Sequence, residues 1–283
     1  MSTSHSLKGT AKQAIRKIAH PAIGEIYCLN EPEARATLYE IFVDKLYLQE
    51  GISILPGDIV FDVGANIGVF TLCAARQGAR VYAFEPVPST FEVLKHNIHL
   101  HGFDSVANAR NIGLSDRAEE KIMFHYPTLS VCDSWSAQDS LFEFMTENWE
   151  NTLHIIKTAD LDQYKAISSL GSKSLQQSAV REFIERISAS PVHVRCKFDT
   201  LSGVVSQENI QSIDLLKLDA ELADWEILSG VKADDWNRIR QVAMEVHVES
   251  DVGPISKFFS ERGFINIARK QLKMGTSCVW ARK

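Results

Sequence analysis

The sequence predicts an α/β fold in which a doubly wound, mostly parallel sheet of seven strands is covered by helices. Three observations support this prediction. Short apolar runs of strand length alternate with helical patterns, a tight glycine-containing turn follows the first run, and the alternation resumes after a long interruption. The 283 residues are 45% hydrophobic and 23% charged, which is typical of globular domains with a large core.

The predicted strands are short apolar runs bounded by turn residues. The first strand, Ile59 to Val63, follows the turn signal Pro56-Gly57-Asp58, and the others span 79–85, 107–113, 213–218, 241–247, 264–269 and 277–282. Helical patterns separate most of them, at 69–76, 88–101, 222–228 and 255–262. Strands and helices that alternate at this spacing form right-handed βαβ units and a parallel sheet, whereas the last two strands are predicted to be antiparallel.

An N-terminal helical cap, residues 1–52, is expected to precede the sheet domain, residues 53–283. Apolar residues recur at helical spacing from Leu7 to Ile18 until Pro21, and a second helical stretch runs from Glu33 to Leu46. The first stretch is basic and lacks acidic residues. We expect it to pack on the domain's own surface, with an organelle transit segment or a helix on an anionic membrane as alternatives.

A segment from about residue 125 to residue 191 fits no βαβ unit and is predicted to be an inserted helical lid. It contains two helical patterns, one ending at Trp149 and one covering Val180 to Ile187. Long insertions at the carboxyl edge of a parallel sheet usually shape a substrate pocket. The aromatic cluster Trp135, Phe142, Phe144 and Trp149 could line an apolar acceptor pocket, with ordinary helix packing as the alternative.

The composition argues against several classes of partner. Lys and Arg number 30 against 36 Asp and Glu, a formal net charge of −6, whereas nucleic-acid binding needs a basic face. No apolar run approaches the roughly 20 residues that cross a bilayer. The cysteines are scattered without metal-ligand spacing, so we expect reduced thiols, a cytoplasmic protein and no metal site; they are Cys28, Cys73, Cys132, Cys196 and Cys278.

The strongest motif is Asp62-Val63-Gly64-Ala65-Asn66-Ile67-Gly68, at the end of the first strand. Its glycines let the backbone turn tightly and approach a ligand, and the next helix offers free N–H groups. Asn66 and Ile67 break the Gly-x-Gly-x-x-Gly pattern of a dinucleotide site, and an acidic strand end suits a pyrophosphate poorly. Asp62 favours instead a cationic ligand, such as a sulfonium cofactor that carries a free ammonium group.

A second acidic residue, Glu85, ends the next strand and is followed by Pro86. At this point of a doubly wound fold a carboxylate accepts hydrogen bonds from both ribose hydroxyls; the alternative is a partner for the start of the next helix. A ribose site without a pyrophosphate loop indicates S-adenosylmethionine. The expected cofactor-binding residues are Asp62, Gly64, Asn66 and Gly68 around the amino-acid tail, Glu85 with Pro86 at the ribose, and Ser115 and Asp116 near the adenine.

These motifs, with Gly-Leu-Ser-Asp at 113–116, resemble those of class I S-adenosylmethionine-dependent methyltransferases. The segment from Lys217 to Leu228 is similar to the FkbM family, as are Phe198 to Leu201 before it and Met244 to His247 after it. The resemblance covers about residues 52–116 and 196–250. It implies a class I methyltransferase, with a Rossmann-like fold, that methylates oxygen, often in polyketide, peptide or sugar-containing natural products.

The chain departs from the family's usual pattern at three places. Leu222 stands where the family has glycine, Asp224 where it has a second glutamate, and Asp199-Thr200-Leu201 where it has Thr-Leu-Asp. Leucine removes a position that readily takes a positive φ. Aspartate keeps the carboxylate but draws it back by one methylene.

The candidate catalytic residues follow the fourth and fifth predicted strands. Asp219 and Glu221 would lean the same way beyond one strand end, and Glu245 and His247 alternate on one face of the other. His247 is the expected base, because imidazole titrates near neutral pH; the alternative is a structural histidine. Glu245 is expected to orient it, or the two help to hold a divalent cation.

These residues would not need to activate the methyl group, because the sulfonium already does so. The enzyme would align donor and acceptor and remove the hydroxyl proton, with Asp219 positioning the methionine end of the cofactor. Lys217 lies within an apolar strand, where an unpaired ammonium is costly. We therefore expect it to form a structural ion pair with one of the nearby carboxylates.

The expected acceptor is a hydroxyl on a small or carrier-tethered metabolite. A nucleic-acid or protein methyltransferase and a non-catalytic cofactor-binding protein are the alternatives. A nucleic-acid enzyme would usually add a basic face or an Asn-Pro-Pro-aromatic motif, and the sequence contains neither. The oligomeric state is open, with a homodimer among the options.

Overall fold

The computed structural model describes residues 15–126, 133, 145–189, 191–220, 223–272 and 276–283. Its N-terminal part is a β-hairpin, β1 (Arg16–His20) and β2 (Gly24–Cys28), followed by α1 (Glu31–Phe42) and a 3₁₀ turn (Leu46–Leu48). The predicted helix through Ile18 is therefore wrong in its described part. Ile18 instead pairs across the hairpin with Ile26, and both side chains are buried. Residues 1–14 lie outside the described part.

The central sheet contains seven strands, as predicted, in the order β11-β12-β10-β9-β3-β4-β5. Six of them run in the same direction, and β12 runs antiparallel to both of its neighbours. The strands are β3 (Ile59–Val63), β4 (Arg80–Phe84), β5 (Ala107–Arg110), β9 (Leu215–Leu218), β10 (Gln241–Val246), β11 (Asn266–Gln271) and β12 (Ser277–Arg282). The chain moves outward from β3 to β5 and returns to the other side of β3 at β9, so the fold has a topological switch point between β3 and β9.

Helices cover both faces of the sheet. The helices are α2 (Val69–Arg76), α3 (Pro88–Leu100), α7 (Leu201–Gln207), α8 (Asp224–Ser229) and α9 (Val252–Ser260). One apolar core joins the sheet to the hairpin, α1, α2 and α3, and a second core joins it to α7, α8 and α9. Asn97 of α3 ties the hairpin to the sheet, because its side chain binds both the N–H and the C=O of Tyr27 and donates to the carbonyl of Ile67.

A smaller sheet lies beside the main one and contains β6 (Gly113–Leu114), β8 (Val192–Asp199) and β7 (Glu119–His125), in that order. The third strand of the main sheet therefore ends at Arg110, and the predicted extension to Gly113 is wrong. A Cβ at Gly113 would lie 2.3 Å from Cε1 of Phe198. The close approach of β6 to β8 thus takes this segment into the second sheet.

Of the chain between β7 and β8, the described residues contain three successive helices: α4 (Trp149–Ala159), α5 (Leu161–Ser168) and α6 (Lys173–Ser188). They share an apolar cluster of their own that includes Ile156, Ile167, Val180 and Phe183, and α4 packs against α1. The described cysteines are buried free thiols, and Cys132 lies outside the described part. Within the described ranges, no helix has the length and apolar character that a membrane span requires.

Candidate active site

A deep cleft opens at the carboxyl ends of β3, β4, β9 and β10, where the strand order reverses. Residues of α1 and α4 also line it. Its volume of ≈ 1540 Å³ exceeds the range of about 300–1,000 Å³ for a single-ligand pocket. Ligands of open α/β sheets bind at this position, so the cleft is the candidate active site and has room for two reactants.

The loop after β3 forms the floor of the cleft with its backbone. Gly64 has φ +70° and Asn66 has φ +50°, so the chain turns through the left-handed region at both residues. A Cβ at Gly64 would lie 1.8 Å from the carbonyl oxygen of Asp219. Gly68 (φ +92°) begins α2 and packs against Leu94. Only glycine fits at Gly64, where the loop meets the end of β9.

Gly64→Ala is expected to lower the free energy of unfolding by about 2–5 kcal/mol. The left-handed backbone costs a non-glycine residue about 1–2 kcal/mol, and displacing packed atoms adds about 1–3 kcal/mol. Gly102→Ala is the matched control, since Gly102 has the same φ of +70° with nothing within 4 Å of its Cβ position. Chemical denaturation of both variants measures the difference. Equal losses would contradict the close approach of the loop to β9.

Asp62 lies beneath this loop and is fully buried. Its carboxylate accepts a hydrogen bond of 2.6 Å from the Thr71 hydroxyl and lies 3.2 Å from Nζ of Lys217. It is absent from the described residues that line the cleft. The predicted ion pair of Lys217 is confirmed, and Asp62 meets this ammonium in the protein interior.

Glu85 lies at the end of β4 with its side chain in the cleft. One carboxylate oxygen accepts from the N–H of Asn66 (3.0 Å) and the other from the N–H of Val87 (2.8 Å), at the start of α3. Burial raises the pKa of Glu85 to about 7, although the Val87 and Asn66 N–H groups oppose this shift. Each carboxylate oxygen keeps a further lone pair, so Glu85 can still accept from a ligand's hydroxyl groups.

Asp219 and His247 meet at the ends of β9 and β10. Asp219 Oδ1 lies 3.9 Å from Nε2 of His247, and Oδ2 lies 3.4 Å from Nζ of Lys217. Burial raises the pKa of the Asp219 carboxyl, but the Lys217 ammonium and His247 outweigh it, so the pKa lies below its ordinary value. The carboxylate is therefore charged at neutral pH, and both residues line the cleft.

The structure shows different partners for His247 and Glu245. Asp224 Oδ1 lies 3.6 Å from Nδ1 of His247, and Asp224 Oδ2 accepts the backbone N–H of His247. The Glu245 carboxylate accepts from the hydroxyls of Tyr47 (3.3 Å) and Thr276 (2.6 Å). Asp224 is thus a carboxylate beside the imidazole that the sequence did not indicate, and the expected role of Glu245 stays a prediction.

Two expected cofactor residues lie away from the cleft. Ser115 is fully buried and accepts a hydrogen bond from Lys121, and Asp116 pairs with Arg117. Neither belongs to the described residues that line the cleft. The structure therefore gives no support for placing the adenine on them, because β6 carries this segment into the small sheet.

Some expected site residues lie outside the described part: Glu221 and Leu222, and the aromatic residues Trp135, Phe142 and Phe144. Trp149 packs, partly buried, against the apolar cluster of the lid helices. Among the residues described, no three His, Cys, Asp or Glu side chains form a group suited to a metal ion. The suggested divalent-cation site therefore gains no support there.

Among the cleft residues of the N-terminal part, two that the sequence did not indicate have raised pKa values. Tyr47 is buried beside Asp219 and Glu245, and burial together with these carboxylates raises its pKa. Burial and the charge of Glu245 raise the pKa of Glu40 to about 8. A third unexpected residue, Asp133, lines the cleft near Glu85 and lies 2.6 Å from Nδ1 of the buried His125.

The strand order, the glycine loop after β3 and the carboxylate at the end of β4 together define a class I methyltransferase. Residues 62–265 match the Methyltransferase FkbM domain. The chain belongs to this family of methyltransferases, as its motifs predicted.

Two similar proteins are themselves methyltransferases, which agrees with this assignment. The chain is 32% identical over 249 residues to the 31-O-demethyl-FK506 methyltransferase FkbM of Streptomyces tacrolimicus, covering 86% of each chain. It is 28% identical to the methyltransferase sdnD of Sordaria araneosa, covering 84% of this chain and 85% of that one. It is 29% identical to the AMB antimetabolite synthetase AmbE of Pseudomonas aeruginosa, covering 94% of this chain and 12% of the synthetase.

A solved structure shares the fold. The FkbM methyltransferase of Methylobacillus flagellatus superposes with a TM-score of 0.51 at 10% identity, over 89% of this chain and 50% of that one. At this identity the likeness concerns the fold alone.

Proposed function

We propose that this methyltransferase transfers a methyl group from S-adenosylmethionine to a hydroxyl group of a small or carrier-tethered metabolite. The observation that supports this most is the placement of His247 between Asp219 and Asp224 in the cleft. An imidazole held by carboxylates is suited to accept a hydroxyl proton, since the neighbouring negative charge stabilises its protonated form.

The residues of the cleft fit the cofactor. When bound, S-adenosylmethionine supplies a methyl group that its sulfonium has already activated. Glu85 would bind the ribose hydroxyls, while Gly64 and Asn66 shape the floor and Pro86 the wall next to the ribose. Gly68 would act indirectly, because it begins α2 and does not line the cleft. Asp219 would face the cationic methionine end, because its carboxylate is charged and partly exposed in the cleft. Asp62 would not contact the cofactor. Its ion pair would instead hold the Lys217 ammonium, which in turn binds the backbone of the glycine loop.

The proposed reaction also needs an acceptor for the hydroxyl proton. An acceptor hydroxyl over the end of β10 would pass its proton to the imidazole of His247. Asp224 would hold the ring, and Asp219 would lie on its other side. The enzyme's remaining contribution is alignment of the hydroxyl oxygen with the methyl group, which depends on the walls of the cleft.

The names of two similar proteins support a natural-product hydroxyl as the acceptor. One is named for a substrate that lacks an O-methyl group, and another is a synthetase in which the match spans 12% of the length. These names favour a natural-product hydroxyl, either free or held on a carrier. Parallel assays with one acceptor, free and attached to a carrier protein, would separate these two forms.

The reaction is tested by the position of the transferred methyl group. Incubation with methyl-labelled S-adenosylmethionine and a panel of hydroxylated metabolites, followed by NMR of the product, identifies the methylated atom. A new O–CH₃ group supports the proposal. Methyl on nitrogen or carbon would reject O-methylation, and cofactor binding without product from any acceptor would favour a non-catalytic protein.

Cofactor affinity is expected to rise with pH through the titration of Glu85. Its raised pKa, about 7, leaves the group largely neutral at pH 6, and the ionised carboxylate is the better acceptor for ribose hydroxyls. If only the ionised form binds, affinity increases about tenfold from pH 6 to pH 8. Binding near pH 7 should also release a proton.

Calorimetry in buffers of different ionisation enthalpy measures both effects. Glu85→Gln is the matched control, because it cannot titrate and should lose this pH step. The same affinity and no proton release in the wild type between pH 6 and pH 8 would refute the assignment of Glu85.

A further inference from the structure

We propose that Lys217 is a positioning residue, whose buried ammonium joins the glycine loop to Asp219 and so keeps one charged carboxylate facing the cationic end of the cofactor. The inference rests on the proposed function, because it concerns the same cleft. It assigns a role to a side chain that does not itself need to touch the substrate.

Burial makes the charge of Lys217 costly. The side chain is 3% exposed, in a strand whose four residues are all buried. An ammonium in such a place loses its hydration, and a well-packed apolar side chain is often no less stable there. Packing alone therefore gives no reason for an ammonium at this position.

The contacts of Nζ indicate what the charge does. It donates to the carbonyl oxygens of Gly64 (2.9 Å) and Val63 (3.3 Å), and it lies between Asp62 (3.2 Å) and Asp219 (3.4 Å). These groups belong to the end of β3, the glycine loop and the end of β9. One ammonium thus holds together the two segments that form this side of the cleft.

The two carboxylates differ in exposure. Asp62 is 0% exposed and also accepts the Thr71 hydroxyl, whereas the side chain of Asp219 is 30% exposed and lines the cleft. An ion pair that only neutralised Asp62 would not need to contact Asp219 or the Gly64 carbonyl. Lys217 therefore links an inner carboxylate to one that a ligand can reach.

The charges of this group sum to −1, with Asp62 and Asp219 negative and Lys217 positive. Without the ammonium, two carboxylates would share a poorly hydrated site, where like charges and burial both favour protonation. Burial already raises the pKa of Asp219, and Lys217 is the strongest of the groups that lower it. Among the described residues, the titratable groups of other elements that interact with Asp219 are Tyr47 of the 3₁₀ turn, Glu40 of α1, His247 directly after β10 and Cys278 of β12.

The test uses the double variant Lys217→Met/Asp62→Asn. Removing both partners of the buried pair avoids an uncompensated charge, and the net charge of the group stays at −1 if Asp219 remains ionised. Calorimetry compares S-adenosylmethionine with 5′-methylthioadenosine, which keeps the ribose but lacks the amino-acid tail and the sulfonium. The ratio of the two affinities cancels the contribution of Glu85, which both ligands would contact.

At pH 7 the double variant is expected to reduce this ratio about tenfold, because no ammonium then holds the Asp219 carboxylate in place and burial favours its neutral form. The ratio should recover at higher pH, as Asp219 loses its proton. A ratio equal to that of the wild type from pH 5 to pH 9 would overturn the inference and leave the proposed function intact. A wild-type protein that binds neither ligand would overturn both.

Asp219→Asn is the second variant and keeps the test decisive if the double variant does not fold. It leaves the Asp62–Lys217 pair balanced and changes a partly exposed side chain. The affinity ratio is expected to decrease about tenfold or more at every pH, because no ionised carboxylate remains in this group to face the cleft. An unchanged ratio would overturn the inference.

Discussion

His247→Ala is expected to lower methyl transfer by about 10²–10⁴-fold, the usual loss when a general base is removed. The imidazole lies 3.6 Å from Asp224 and 3.9 Å from Asp219, and the two carboxylates would stabilise its protonated form. Cofactor affinity should be nearly unchanged, because Glu85 and the glycine loop remain. Single-turnover assays at saturating cofactor measure the chemical step separately from binding.

His99→Ala is the matched control for this variant. His99 lies at the end of α3 with its side chain 81% exposed and its ring beside Asp104, and it should retain wild-type turnover. A His247→Ala enzyme with wild-type turnover would remove the histidine from the mechanism. A large loss of cofactor affinity would instead assign His247 to binding.

Glu85→Ala is expected to weaken cofactor binding by about 2–3 kcal/mol, or about 30–150-fold, through the loss of two hydrogen bonds to the ribose. The same substitution removes the acceptor of the Asn66 and Val87 N–H groups. Some loss of stability should therefore accompany it, and thermal unfolding should be recorded with the calorimetric affinity.

Glu92→Ala serves as the control, on the helix that follows Glu85 in the chain. Glu92 lies on α3 with its side chain 56% exposed, and its removal should leave the affinity unchanged. An intact Glu85→Ala protein with wild-type cofactor affinity would show that the ribose does not bind at the end of β4.

The parts of the fold that the sequence predicted correctly depend on local signals. The apolar run of β3, the glycines after it and Glu85 at the end of β4 lie close together in the chain, and their spacing alone indicates a nucleotide-type site. The hairpin was missed because its geometry depends on a distant partner. The side chain of Asn97 forms hydrogen bonds with the backbone of Tyr27, 70 positions away. The sequence pattern near Ile18 does not indicate that contact.

The same distinction holds for the site. The proximity of Asp219 and His247 was predicted because parallel strands end at one edge of the sheet. The ion pair of Lys217 was predicted because a buried ammonium requires a partner. Tyr47 was missed, since its hydroxyl reaches Glu245 across 198 positions of sequence. The proximity of Asp224 to His247 was also missed, because the two residues lie 23 positions apart and only the fold brings the carboxylate to within 3.6 Å of the ring.

A crystal structure with S-adenosylhomocysteine would show whether the cofactor binds over the ends of β3 and β4. Both ribose hydroxyls should lie within about 2.5–3.2 Å of the Glu85 carboxylate oxygens. The amino-acid tail should pass Gly64 toward Asp219, and the sulfur should face the part of the cleft where His247 lies. A nucleoside bound elsewhere, or in this cleft without contact to Glu85, would contradict the account.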